Sequence, residues 1–188
     1  MNVGANSITD TGLYFQWGDT QGYTAEQVGS GEGQKYFDWT DYKYNPSGDG
    51  ETFTKYNNTD SKTVLEASDD AVTAAWGGNW RMPTAEEFYT LNDAANYDWT
   101  DDYQGSGVAG IILTSNTDNS KKLFFPAADF AIEDMPPYLG SNCGYWCSSL
   151  SDNYNFGAYC FYYNSGDLDW NFVNSRYYGY TVRGVLDE

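Results

Sequence analysis

The sequence predicts an α+β domain, rich in loops, with two helices and short antiparallel strands. Three observations carry this expectation. A helix-entry signature surrounds Pro83 and Thr84, hairpin-like aromatic and β-branched runs cluster in the last third, and the first third alternates aromatic pieces with glycine-rich turns.

In the first 66 residues, GLYFQWG (Gly12 to Gly18) reads as a strand, whereas GSGEGQ and NPSGDG read as turns. A first helix is expected from Asp69 to Trp76: Ser68 can cap it, Asp69 and Asp70 suit its N-terminal dipole end, and Gly77-Gly78 ends it. The strongest local signal is WRMPTAEEFYTL, Trp80 to Leu91. Thr84 with Glu87 three residues on makes a capping box, and Phe88, Leu91 and Ala95 share one helical face, so a helix is expected to end near Asn96.

Beyond it, GIILTS (Gly110 to Ser115) and KKLFFPAA (Lys121 to Ala128) flank the polar turn NTDNS and read as a hairpin. GYWCSSL follows, then AYCFYY and LDWNFV separated by Asn164-Ser165-Gly166-Asp167, and YTVRGVL closes the chain as a final strand. No repeat of fixed period occurs.

Length and composition bound the function. A chain of 188 residues supports one core, so residues 1–188 form a single domain. Aromatics reach 19% while the mean hydropathy is -0.64, which suits a compact domain with wet aromatic surface rather than disorder. The formal charge of -18 repels phosphate backbones and anionic lipid, which argues against nucleic acid and membrane partners. No apolar run is long enough to span a bilayer, and Met1-Asn2-Val3-Gly4 begins no signal segment; the expectation is a soluble part of a particle, or a domain of a longer secreted protein. With no His, the commonest general base and most zinc sites are gone. Cys143, Cys147 and Cys160 allow at most one disulfide within the chain.

Several pieces together resemble known families. WRMPTAEEF is similar to the helix-entry motif of C-type-lectin-fold proteins of the formylglycine-generating type, and YTVRGV resembles that group's closing strand. NVGA at Asn2 to Ala5, YFQWGDT at Tyr14 to Thr20, LFFPAA and GYWCSS resemble the major paralogous domain first recognised in Fibrobacter and abundant in gut bacteria and their phages. The resemblance implies a C-type lectin fold across nearly the whole chain. Some members of the group are variable proteins of diversity-generating retroelements, in which template adenines are randomised and the copy replaces the C-terminal coding segment. Asn codons mutated at adenine never yield Lys, Glu, Gln, Met or Trp. Ser151 to Tyr180 contains only Trp170 of those types, although the other residues hold 22 Lys, Glu, Gln and Met, so about four would be expected by composition. Depletion of Lys and Glu in strands accounts for part of this bias.

The resemblance thus implies a variable ligand-binding segment at 145–183. Strand alternation sends Phe161 and Tyr163 inward with Trp170, leaving Cys160, Tyr162 and Asn164 on the opposite face. The candidate ligand-binding residues fall in successive groups. Asp152, Asn153, Tyr154 and Asn155 precede the hairpin; Tyr159, Tyr162, Asn164, Asp167, Asp169 and Asn171 lie along it; Asn174, Tyr177, Tyr178 and Tyr180 follow. Tyr gives broad contact at low entropy cost, and Asn and Ser give adaptable hydrogen bonds, as in antibody loops. The expected ligand is a protein or glycan on a bacterial or host surface, with the domain outside the cell on a phage particle or bacterial surface structure.

A fixed carbohydrate-binding adhesin is the alternative, with exposed rings stacking on sugars. A structural tip or decoration domain is another. No cofactor is expected: Asp167-Leu168-Asp169 offers two carboxylates where calcium takes about six to eight oxygens. Catalysis is not expected either. Cys143 and Cys147 lie in the third of the chain where formylglycine-generating enzymes carry a redox pair, but no Lys is near to lower a thiol pKa, and neither matches that enzyme's active-site motif.

Overall fold

Ten strands and two short helices are arranged around a curled, five-stranded half-barrel in the computed structural model, which describes residues 1–164 and 166–187. Strand with isolated bridges accounts for 34% of the chain and helix with 3-10 turns for 13%, so the protein is mostly β. This overturns the expected α+β, C-type-lectin architecture. The physical reason is the brevity of the helices, which leaves the packing layers to sheets and loops. α1, Ala71–Trp76, stops at Gly77 and Gly78, whose φ values of 65° and 60° are left-handed. α2, Ala85–Ala94, passes directly into a strand.

The caps explain where these helices begin. Asp70, rather than the expected Ser68, caps α1: its carboxylate accepts from the Val72 and Thr73 amides and also from the Met82 amide at 2.8 Å. That third bond ties the helix start to β1, Trp80–Arg81. Thr84 caps α2 through the expected box with Glu87. Phe88 is buried, with Leu91 and Ala95 packed around the same cluster.

β2, Ala95–Thr100, pairs with β3, Gly110–Ser115, which pairs with β4, Lys122–Pro126, in an antiparallel three-stranded sheet. The β3–β4 hairpin was expected and β2 was not. The main sheet contains β5, Phe130–Ala131; β6, Cys143–Leu150; β7, Gly157–Asn164; β8, Asp167–Ser175; and β9, Gly179–Val182. Its order is β5-β9-β6-β7-β8, with β6 and β9 parallel and the other neighbours antiparallel. β10, Val185–Leu186, pairs with β1. Ser165, in the expected β7–β8 turn, lies outside the described residues.

Both faces of the main sheet are covered. Tyr145, Cys147, Phe161, Tyr163 and Trp170 pack with Phe88, Ile111 and Phe125 on one side. Trp146, Ala158, Cys160, Tyr180 and Val182 pack against Val3, Phe15, Trp17 and Tyr56 on the other. The inward placement of Phe161, Tyr163 and Trp170 agrees with alternation. The face bearing Cys160, expected to be open, is covered over much of its length by N-terminal loops.

Those loops contain no named strand among the described residues; GLYFQWG contributes only isolated bridges at Tyr14 and Phe15. They are held by the polar tips of buried rings. The Trp17 indole donates to the Cys147 carbonyl at 2.9 Å, the Trp146 indole to the Phe15 carbonyl at 2.9 Å, and the Tyr42 hydroxyl to the Trp17 carbonyl at 2.9 Å. A second anchor is Asp69, whose carboxylate takes Lys55, Lys43 and the Tyr56 hydroxyl and fixes the 43–56 loop to the start of α1.

Candidate binding face

Where the N-terminal loops stop short, the Cys160 side of the sheet carries a run of half-buried aromatic rings. Phe172 stacks on Tyr162 at 4.9 Å, and Tyr162 meets Phe130 at 6.4 Å. Phe130 stacks on Tyr178 at 5.4 Å, Tyr178 meets Tyr177 at 4.8 Å, and Tyr177 meets Trp39 at 4.8 Å. All six rings are partly exposed.

The sheet order explains this continuity. Phe130 lies on β5, Tyr180 on β9, Gly144 on β6, Tyr162 on β7 and Phe172 on β8. A Cβ at Gly144 would sit 2.2 Å from Cε1 of Tyr180, so the absence of a side chain there lets the Tyr180 ring lie across β6 beneath the layer. Tyr180 itself is fully buried against Trp146, and its hydroxyl accepts from the Asn174 amide at 2.9 Å. It is a support for the face and not a contact residue, which corrects the sequence expectation for that position. Asn174 stays partly exposed.

The remaining expected residues divide. Asn164, Asp167, Asp169 and Asn171 are exposed along the β7–β8 hairpin, and Asp169 pairs across from Tyr162 at the edge of the aromatic layer. A β-bulge lies here, since β8 inserts one more residue than β7 between the Cys160 and Tyr162 pairs. Asp152, Asn153, Tyr154 and Asn155 stand at the other end of β7, about 23 Å away along an eight-residue strand. There the loop meets residues 57–63 around a cleft of about 540 Å³. Tyr159 is half-buried on the Phe161 side, its hydroxyl 3.4 Å from the Asp152 carboxylate.

Three ring positions were missed from the sequence. Phe172 sits inside the segment but reads as strand core, and Phe130 follows a left-handed Asp129 that no local pattern announces. Trp39 arrives on a three-residue 3-10 turn capped by Asp38, far away in the chain.

Burial, with Asp129 and Cys160 next, raises the Tyr162 hydroxyl to about 12, so it remains a neutral donor and acceptor. The three cysteines are free and buried, and burial pushes the Cys147 thiol up to about 12. Among the described residues no group of three or more Cys, Asp or Glu converges as metal ligands would, and no helix is long and apolar enough to cross a membrane.

The half-barrel has a two-sided core and, on its Cys160 side, a partly exposed aromatic stretch. No protein-family model, curated protein or solved structure matches the chain.

Proposed function

We propose that this protein is a non-enzymatic receptor-binding or adhesion module that engages a ligand through the aromatic layer. The observation that carries the reading is the run of six partly exposed rings, three of them, Phe130, Tyr162 and Phe172, on strands of the main sheet, and four, Tyr162, Phe172, Tyr177 and Tyr178, from the C-terminal segment. Exposed aromatics held by a covered scaffold are the usual anchors of an interface. Thiols enclosed and raised by burial argue against thiol chemistry.

The segment is further proposed to be diversified by a retroelement, on a phage particle or bacterial surface. Burial then sorts its codons. Tyr162, Asn171, Asn174, Tyr177 and Tyr178 are open to variation, whereas Cys160, Phe161, Trp170, Arg176 and Tyr180 are enclosed. The test is to sequence the locus, seeking a near-copy of codons 145 to 183 beside a reverse transcriptase gene. A template differing at adenines of the exposed positions supports the reading. Adenine substitutions falling equally on the buried positions, or no template, sink the diversification. Binding itself is tested by labelled protein on bacterial cells: Tyr178→Ala should cost about 2 kcal/mol if the ring is a hot spot.

A second reading, a carbohydrate-binding adhesin, is favoured by the cleft between residues 57–63 and 151–155. Its walls offer Asn58, Ser61, Thr63, Asp152, Asn153 and Asn155, amides, hydroxyls and one carboxylate suited to a polyhydroxylated ligand. Glycan-array binding lost on Asn153→Ala with Asn155→Ala, and unaffected by Tyr178→Ala, would favour it.

A further inference from the structure

The aromatic layer has no positive charge of its own. Between Lys122 and Arg176 the chain contains no Lys, Arg or His, and β9 contains none either, so no strand of the five-stranded sheet carries a basic residue. Two cations near its Trp39 and Tyr177 end are committed. Lys35, behind Phe37, is buried and bound to Asp41 and Gln16, and Arg176 is enclosed.

The rim is acidic. Asp38 adjoins Trp39 at one end, and Glu133 lies close by, its backbone bridged to Phe37. At this end burial first, then Tyr178, and then Glu133 and Asp38 push the Tyr177 hydroxyl up. Asp169 faces across from Tyr162 at the far end, whereas Asp129 is buried and already accepts from the Tyr138 amide and Asn142. Asp38, Glu133 and Asp169 take part in no ion pair among the described residues.

Ring faces carry negative electrostatic potential, and a guanidinium or ammonium placed over them is stabilised, more so where carboxylates surround the site. An anionic or merely apolar partner would instead leave these carboxylates unpaired and partly desolvated on docking. From the rings and their rim together, we infer that the partner of this face is a basic protein surface, presenting Arg or Lys side chains into the layer. This rests on the binding-module reading and names its ligand class.

The experiment uses the full chain and three twelve-residue peptides: (Gly-Arg-Gly-Lys)3, the same peptide with citrulline and acetyl-lysine, and (Gly-Glu-Gly-Asp)3. Calorimetric titrations are run at low and at moderate salt. One variant neutralises the rim, with Asp38→Asn, Glu133→Gln and Asp169→Asn. A control removes the same charge elsewhere, with Glu32→Gln, Glu86→Gln and Asp98→Asn, all exposed and with no side-chain ion pair among the described residues.

The inference expects the cationic peptide alone to bind. The rim variant should weaken it about tenfold, Tyr178→Ala about fivefold, and the control by less than about twofold. Equal losses in rim variant and control mean general attraction to a negative protein, and the inference falls. Binding of the neutral peptide as tight as the cationic one also overturns it. If Tyr178→Ala abolishes cell binding while cationic-peptide affinity ignores rim and rings, the face stands and its cationic partner does not. If Tyr178→Ala changes neither, the face itself is misplaced.

Discussion

The guanidinium of Arg176, with none of its surface exposed, donates to the backbone carbonyl of Tyr56 at 2.7 Å. It lies 4.3 Å over the Phe53 ring and 5.3 Å over Trp17, and its enclosed Nε has no acceptor among the described residues. A buried cation with no ion pair among the described residues therefore joins the β8–β9 turn to the 53–56 loop.

Removing it should unfasten that loop. Arg176→Ala leaves the Tyr56 carbonyl unpaired and a void between two rings, at a cost of about 3 kcal/mol in urea unfolding. Arg176→Met keeps most of the volume and removes an enclosed charge, so about half that loss is expected. Equal losses for the two would mean that the hydrogen bond matters and the packing does not.

Asp69 has a side chain only 8% exposed and bonds to the Tyr56 hydroxyl at 2.6 Å as well as to two lysines. Burial alone would raise its pKa, but the bonds from Lys55, Tyr44 and Tyr56 outweigh it and hold the carboxyl below its ordinary range. Asp69→Asn leaves two lysines facing a neutral group and should cost about 3 kcal/mol. A loss under about 1 kcal/mol would show that the cluster is solvated.

Glu87 gives a pH signature. The Arg81 guanidinium, and after it the Thr84 cap, hold its carboxyl down to about 2 against the smaller opposing effect of burial. A folded pKa below the unfolded one contributes stability that is full above the ordinary carboxylate range and is lost as pH falls towards about 2. The melting temperatures of wild type and Glu87→Gln should differ at pH 6 and converge as the pH approaches that value. A constant gap would assign the effect to shape rather than charge.

Gly144→Ala would drive a methyl into the Tyr180 ring. The expected cost is about 2 kcal/mol, with a changed near-ultraviolet dichroism from the displaced aromatic layer. Unchanged stability and spectrum would mean that Tyr180 moves aside freely.

Local chemistry was legible where it sets local structure. The Thr84–Glu87 box, the β3–β4 hairpin and the β7–β8 pairing follow from short-range signals and appear in the fold. β2 was hidden because Ala95 reads as the end of an amphipathic helix, while its central residues Asn96, Tyr97 and Asp98 are all exposed and show no apolar alternation that would mark a strand. The covering of Cys160 was hidden for a different reason: its neighbours, including Trp17 and Tyr56, come from loops more than a hundred positions away. The candidate face was legible in composition but not in position. Tyr162, Tyr177 and Tyr178 were found from residue type, whereas Tyr180 is of the same type and its burial depends on the space left at Gly144.

The dependence of the N-terminal loops on strands near the other end also orders events during synthesis. Phe15 exchanges backbone bonds with Tyr180, Trp17 donates to the Arg176 carbonyl, and Leu65 to Ser148. None of these partners exists when the first 66 residues leave the ribosome. At roughly 5–20 residues per second, the aromatic-rich leading segment waits on the order of ten seconds for its acceptors. During that interval its rings lack the partners that bury them, and a chaperone that holds them would act before the main sheet has formed.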